Sequence, residues 1–312
     1  MLKRILRGIS RRADRIFSPR LRKIKAAFGI STRYGYGKFS ILLPGDHLLP
    51  VHQAHHKLYD KFLPHLVSYL EPSAAVIDVG ANCGDTLAAM HERNSALRYL
   101  CIEPDDAFFE YLDSNVQRIR AANAGASITT FKALVGKGVS KATLGGSGGT
   151  KHAIVGEPAS GGQKAISSVT LDGLLSEVGG IQLLKSDVDG FDYDVIDSAE
   201  QLIRNQLPLL FFECDFGDEA QKIEYKRTIA TLEAAGYHEW IAFDNFGELV
   251  LKTGDVNILF QLFDYVGRQN AGRTTRTIFY FDVLAATQAH KELLATVVAD
   301  YTQLQRSEAV TG

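Results

Sequence analysis

The chain is 312 residues long, 46% hydrophobic and 22% charged, with a formal net charge of −2; this is globular composition with enough apolar residues for one large core. Its three cysteines, Cys83, Cys101 and Cys214, make no C-x-x-C pair, which argues against a disulfide framework or a zinc site and suits a reducing, cytoplasmic setting. No apolar run approaches the roughly 20 residues that a membrane span needs.

Charge is unevenly spread. Residues 1–28 carry ten Lys or Arg and one acid, Asp14, while the remainder carries 24 bases against 35 acids. Leu2, Ile5, Leu6, Ile9, Ile16 and Phe17 recur at helical spacing through the basic stretch. Three readings stay open: a solvated helix on the body, an amphipathic helix touching an anionic membrane or a lipid-linked substrate, or a targeting peptide. "STRYGYGKFSILLPGD" (31–46) has the Gly and aromatic mix of a short hairpin. Residues 1–50 are thus set apart as a basic extension plus hairpin. A helix is predicted over 52–70, with Leu58, Phe62, Leu66 and Tyr69 on one side and Glu71-Pro72 ending it.

A strand–helix alternation then fills residues 51–286. Strands are predicted at 75–79, 97–103, 127–135, 180–188, 207–214, 237–244, 247–252 and 276–285. Helices are predicted at about 84–93, 105–119, 192–204 and 218–235, with a terminal helix and tail over 287–312. Residues 136–166, with "GGSGG" inside them, interrupt the rhythm as a Gly-rich insertion, either a loop or a small hairpin. Such alternation implies an α/β, doubly wound, Rossmann-like fold: a mostly parallel sheet with helices on both faces.

In sheets of this kind ligands bind beyond the carboxyl ends of the strands. The polar residues there are Asp78, Gly80, Asn82 and Gly84 after the first strand, and Glu103 with Pro104 and Asp105 after the second. Asp187 and Asp189 with Gly190 follow the fourth, and Glu213 with Asp215 the fifth. Glu103 lies 23 residues after Gly80, where a carboxylate can accept hydrogen bonds from both ribose hydroxyls of a nucleoside; an acid at a helix start also suits the helix dipole. The turn Gly80-Ala-Asn-Cys-Gly84 lacks the second and third glycines of the dinucleotide fingerprint. Asp85 at the helix start suits a ligand with an ammonium and a sulfonium better than a diphosphate. The preferred cofactor is therefore S-adenosylmethionine over NAD.

"VIDVGANCGDT", "YLCIEPDDAFFEYLDSN", "SSVTLDGLL", "LLKSDVDGFDYDVI" and "PLLFFECD", in that order, resemble the successive motifs of FkbM-type S-adenosylmethionine-dependent methyltransferases over roughly residues 58–285. Ser186 stands where the family commonly has Ile, and Asp189 where it has Glu. The resemblance implies a class I methyltransferase fold with a seven-stranded sheet, and O-methylation of a hydroxyl on a sugar, glycan or natural product. On this reading Asp78, Gly80, Asn82, Gly84, Glu103 and Pro104 form the cofactor site. Asp187 is the first candidate for the base that takes the acceptor's proton, with Asp189 and Glu213 next. Two further readings of these acids remain: they hold Mg²⁺, which would lower a diol's pKa, or Asp187 and Asp189 only shape a turn with Gly190. No metal ligand is assigned.

"HQAHH" (52–56) sets His52, His55 and His56 near one helical face with His47 upstream, as surface residues, acceptor contacts or metal ligands. Tyr237, Trp240, Phe243 and Phe246 are core residues or an aromatic wall for the acceptor. Cys83 has no visible base beside it. Asp172 is expected to fix a loop or cap a following helix. The expected acceptor is a small molecule or glycan; a lipid-linked acceptor and peripheral membrane contact through residues 1–28 stay open as further readings, and no nucleic acid is expected. The alternatives are a nicotinamide-dependent oxidoreductase, or a non-catalytic membrane- or nucleic-acid-binding protein with a degenerate nucleoside pocket.

Overall fold

A computed structural model describes residues 22–25, 27–137, 142–145, 152–155, 167–271 and 278–311. The first 21 residues of the basic extension and most of the Gly-rich stretch lie outside the described residues. Strands β1 (Thr32–Tyr36) and β2 (Phe39–Leu43) pair antiparallel, which is the predicted hairpin. The predicted helix over 52–70 is instead two short ones, α1 (Leu49–His55) and α2 (Phe62–Val67). The cause is local: Asp60 adopts φ 57, a left-handed backbone that cannot continue a helix.

The main sheet follows. In chain order it takes β3 (Ala75–Val79), β4 (Arg98–Ile102), β5 (Ser127–Phe131), β10 (Ile181–Ser186), β11 (Leu209–Cys214), β12 (Tyr237–Asp244), β13 (Leu249–Thr253) and β14 (Phe281–Thr287). Their spatial order is β13-β12-β14-β11-β10-β3-β4-β5. The five strands from β11 to β5 are parallel, and β14 runs antiparallel between β11 and β12. Seven strands thus make the expected mixed sheet, and β13 adds an eighth at the edge beyond β12. The predicted strand 127–135 breaks after Phe131. Its tail becomes β6 (Leu134–Val135), which pairs with β9 (Ser168–Val169) in a separate ladder. A further antiparallel pair, β7 (Ala142–Gly145) and β8 (His152–Val155), occurs within the Gly-rich stretch.

Helices cover both faces, so all five residues of β3 are buried. Val76 points to one core with Leu66, Leu87, Leu112, Leu294 and Tyr301. Ala75, Ile77 and Val79 point to the other, with Val195, Tyr225, Ile229 and Phe263. The first core lies under α3 (Asp85–Arg93), α4 (Asp106–Ala122) and α10 (Lys291–Thr311). The second lies under α5 (Leu171–Leu174), α6 (Asp192–Asp197), α7 (Glu200–Gln206), α8 (Glu219–Ala234) and α9 (Val256–Asn270). The predicted helix 192–204 is split into α6 and α7 because the Ser198 hydroxyl donates to Val195 O at 2.7 Å and accepts from Leu171 N at 3.2 Å, drawing the chain out of its helical path. Asp172 caps α7, accepting from Gln201 N and Leu202 N at 2.9 Å. The sequence reading had no element at α9. Asp255 starts it by accepting from Asn257 N at 2.9 Å, and Leu259, Phe263 and Val266 bury its inner face. Tyr237, Trp240 and Phe243 are core residues. Phe246 lies outside that core, stacked on His56 at 3.9 Å.

One side chain ties the hairpin to the turn after β3. Asn115 of α4 accepts from Leu42 N at 2.7 Å and donates to Leu42 O at 2.8 Å and Cys83 O at 2.7 Å. It is fully buried, so all its bonds are made inside the protein. Asn115→Ala is expected to destabilise the fold by roughly 2–3 kcal/mol, since buried groups lose their partners. Urea unfolding of the two proteins measures it, and an unchanged midpoint would contradict the role.

Candidate active site

The chain runs outward on opposite sides of β3, to β4 and β5 on one side and to β10 and β11 on the other. A crevice opens where this order reverses, and its walls are the ends of β3 and β10.

β3 ends at Val79, and Gly80 turns with φ 73. A Cβ at Gly80 would lie 1.9 Å from the carbonyl oxygen of Asp187, so the residue must be glycine. Gly80 N and Ala81 N both donate to Ile102 O at 3.0 Å. Asn82 follows at φ 50; its Oδ1 accepts from Cys83 N at 2.7 Å. Gly84, at φ 81, starts α3, and a Cβ there would meet Leu112 Cδ1 at 2.9 Å. Across the turn, Glu103 at the end of β4 accepts from Asn82 N at 2.9 Å and from Asp105 N at 2.8 Å. Asp105 in turn caps α4. Each Glu103 oxygen keeps a second lone pair. Burial pushes the Glu103 carboxyl up to about 7, against the two backbone N–H groups that pull it down.

The other wall is built on Lys185. It pairs in register with Asp78 across β10 and β3, and both side chains are buried. Its Nζ lies 2.9 Å from Asp78 Oδ1 and 3.7 Å from Asp187 Oδ2. It also donates to Val79 O at 3.3 Å and Gly80 O at 3.1 Å. Burial alone would lower the Lys185 ammonium; Asp78 and Asp187 outweigh it and hold it above its usual range. Asp187 itself is half exposed. Asp189, at φ 52, and Gly190, at φ 92, turn the chain into α6.

One cavity collects Gly80, Asn82, Glu103, Pro104, Lys185, Asp187 and Asp189, together with His52 of α1, His47 just before it, and Tyr59 and Asp60 from the turn between α1 and α2. Of the sequence candidates, Asp78 lies beneath this cavity as the partner of Lys185. Gly84 acts from below by starting α3. Glu213 lies on β11, opposite Asp282 of β14, and is not among the lining residues. Its Oε2 is buried with no hydrogen-bond partner among the described residues. Burial first, then Asp187 and Asp192, drive its carboxyl well above the ordinary range. Asp192, which accepts from the Ser186 hydroxyl at 2.6 Å, is likewise raised by burial, to about 7.

His52 stacks on Tyr59 at 4.8 Å, and His47 Nε2 is 3.7 Å from Asp85 Oδ2. His55 is exposed. Among the described residues, the three side chains that bring possible metal-ligand atoms together, within 4.8 Å, are His47, Cys83 and Asp85. Asp187, Asp189 and Glu213 do not converge in this way. Burial, then Asp85, raises the Cys83 thiol well above its usual value, which keeps it protonated and a poor ligand or nucleophile. No helix among the described residues is long and apolar enough to cross a membrane.

Sequence reasoning quoted Lys185 in its motif but gave it no role, and it passed over Tyr59 and Asp60. The signal for Lys185 was available: a lysine inside the apolar strand "IQLLKS" needs a buried acid on a neighbouring strand. Lys185→Met should cost roughly 3–5 kcal/mol of stability, because Asp78 is left buried without its counter-ion. Burial already raises the Asp78 carboxyl against the pull of Lys185, so the variant's folded state holds the proton more tightly than the unfolded chain. The variant should therefore lose stability as pH rises, more steeply than wild type. Adding Asp78→Leu should restore much of the loss, read by urea unfolding at several pH values.

A family model described as the methyltransferase FkbM domain matches residues 78–239. Among solved structures, the methyltransferase FkbM from Methylobacillus flagellatus KT aligns at 15% identity and TM-score 0.38, covering 59% of this chain and 52% of its own. This chain therefore spans about half the length of that protein. The METTL16 methyltransferase domain aligns at 12% identity and TM-score 0.41, covering 81% and 89%. Aeropyrum pernix fibrillarin, solved with natively bound S-adenosyl-L-methionine, aligns at 15% identity and TM-score 0.33, covering 55% and 60%. Comparison with curated proteins gave no match. The family match takes in just over half of the chain, from Asp78 through Glu103, Lys185 and Asp187 to Glu213 and beyond, and the chain belongs to the FkbM methyltransferase-domain family.

Proposed function

We propose that the protein is an S-adenosylmethionine-dependent O-methyltransferase acting on a hydroxyl of a sugar, glycan or similar natural product. The observation that carries this reading is the shared cavity: the Gly80–Gly84 turn and Glu103 form one wall, and Asp187 stands on the other. The donor wall fits the nucleoside. Gly80 leaves room where a side chain would collide, and the free lone pairs of Glu103 can accept both ribose hydroxyls. When bound, S-adenosylmethionine supplies an electrophilic methyl group already activated by its positive charge.

The protein's own work is then alignment and proton removal. An alcohol keeps its proton at neutral pH, so a base must receive it as the new O–C bond forms. Asp187 is assigned that role, with its carboxylate steadied by Lys185 at 3.7 Å. Asp189 borders the same space as an acceptor contact. Glu213, buried below and driven toward its neutral form, is a support for Asp187's surroundings rather than a second base. Alignment contributes up to roughly 7–11 kcal/mol in favourable cases, and a placed base about 100- to 10,000-fold. Acids and aromatic rings around the acceptor side, including Tyr59 and Asp60, suit a polyhydroxylated acceptor. Family membership leaves the nicotinamide oxidoreductase without support, and among the described residues Asp187, Asp189 and Glu213 do not converge on a point that could hold Mg²⁺.

Calorimetric titration with S-adenosylhomocysteine tests the donor half, with NADH as control. Micromolar binding by wild type and its loss in Glu103→Ala are expected; binding of NADH alone would overturn the reading. Because the Glu103 carboxyl sits near 7 and its ionised form accepts both hydroxyls, affinity should fall roughly tenfold per unit as pH drops below about 7. Glu103→Gln should flatten that dependence.

Asp187→Asn tests the acceptor half. It should retain S-adenosylhomocysteine binding and lower turnover by about 100-fold or more. Near-normal turnover would remove Asp187 as the base.

A further inference from the structure

The cavity mouth is next to a surface of a different character. Residues 22–30 precede the hairpin, closed by Phe28 N donating to Ile24 O at 3.1 Å and Ile30 N to Lys25 O at 2.8 Å. Three large apolar side chains stand out in water here: Phe28 is 76% exposed, Ile24 51% and Ile30 50%. Lys23 is exposed among them. Such a run of exposed apolar and basic side chains marks an interaction surface.

This segment touches the loop that leads into the cavity lining. A Cβ on Gly45 would lie 2.5 Å from Ile30 O and 2.6 Å from Lys25 Cβ, so the two backbones are in close contact. Two residues further on, His47, Leu48 and Leu49 line the cavity. Arg22 is near enough to the cavity that, after burial and His56, it helps lower His52. Arg22 Nη1 is buried with no hydrogen-bond partner among the described residues, so Arg22 faces the body and Lys23 the water.

Charge selects the occupant. Residues 1–28 carry ten bases and one acid, against an acidic remainder. A second copy paired face to face would bring the same positive charge and repel it. An anionic bilayer offers both phosphate for the bases and an apolar layer for Phe28, Ile24 and Ile30. We infer that the exposed side chains of Lys23, Ile24, Phe28 and Ile30 seat the protein on an anionic membrane surface, with the cavity beside that surface. The acceptor would then be a hydroxylated group carried on a lipid. Only this last clause rests on the proposed methyl transfer.

Vesicle co-sedimentation of the full chain tests the surface. The probes are phosphatidylcholine vesicles and vesicles that also contain phosphatidylglycerol. Binding to the mixed vesicles should be at least tenfold tighter, at about fivefold per engaged basic residue, and should collapse at high salt. Phe28→Ser with Ile24→Ser, and separately Lys23→Glu, should each weaken it several-fold while S-adenosylhomocysteine binding stays unchanged. Equal binding to both vesicles, salt-insensitive binding, or variants that bind like wild type would overturn the inference. So would a dimer in solution that the Phe28 and Ile24 changes convert to monomer, because the face would then belong to a second copy. Vesicle binding is read without turnover, so its failure and a failure of the methyl-transfer reading are separate results.

Discussion

The site depends on one buried ammonium. Lys185 sits where β3 and β10 run side by side, and four oxygens surround it: Asp78, Asp187 and the carbonyls of Val79 and Gly80. An ion of this kind loses several kcal/mol of hydration on burial, and only close partners can offset that. Its partners come from both walls of the crevice. Moving either strand end would leave a buried charge short of ligands. The crevice is thereby held open at one geometry before any ligand enters.

Gly80 depends on the same arrangement. The carbonyl of Gly80 faces Lys185, and the Cα faces the carbonyl of Asp187 at a distance that admits no Cβ. The two strand ends approach because the lysine draws them together, and glycine is the residue that permits it. Glu103 then fixes the far side of the turn by receiving Asn82 N. Three strand ends, from β10, β3 and β4, are locked in sequence by one cation, one missing side chain and one carboxylate.

Much of this was legible in the sequence. The strand–helix rhythm, the Gly80–Gly84 turn, Asp105 as a helix start and the acids past each strand follow from periodicity and turn chemistry. What stayed hidden was set by tertiary contact. The break between α1 and α2 hangs on a left-handed Asp60 that helix periodicity does not disclose. α9 was overlooked although Asp255 and the spacing of Leu259, Phe263 and Val266 were in view. Asp78 looked like a ligand contact because it ends a strand before a glycine turn; only strand register shows that it faces Lys185.

The acids along the carboxyl edge also show why residue type cannot rank them. Asp187 is half exposed beside an ammonium, whereas Glu103 is buried but receives two backbone N–H groups. Asp192 is buried and shares a hydroxyl, and Glu213 is buried with an oxygen that has no partner among the described residues. Desolvation penalises the charged form of Asp192 and Glu213, and of Glu103 as well, where two N–H donors oppose it only in part. One chemical group thus has several fates within one sheet edge. A proton acceptor must be both reachable and able to hold charge, and of the three acids read from the sequence as catalytic, Asp187 combines reach with a lysine partner. The same acids bear on how the acceptor arrives. A cleft lined by carboxylates attracts hydroxyl donors and repels anions, so a phosphate-bearing carrier would rest its charge outside the cleft.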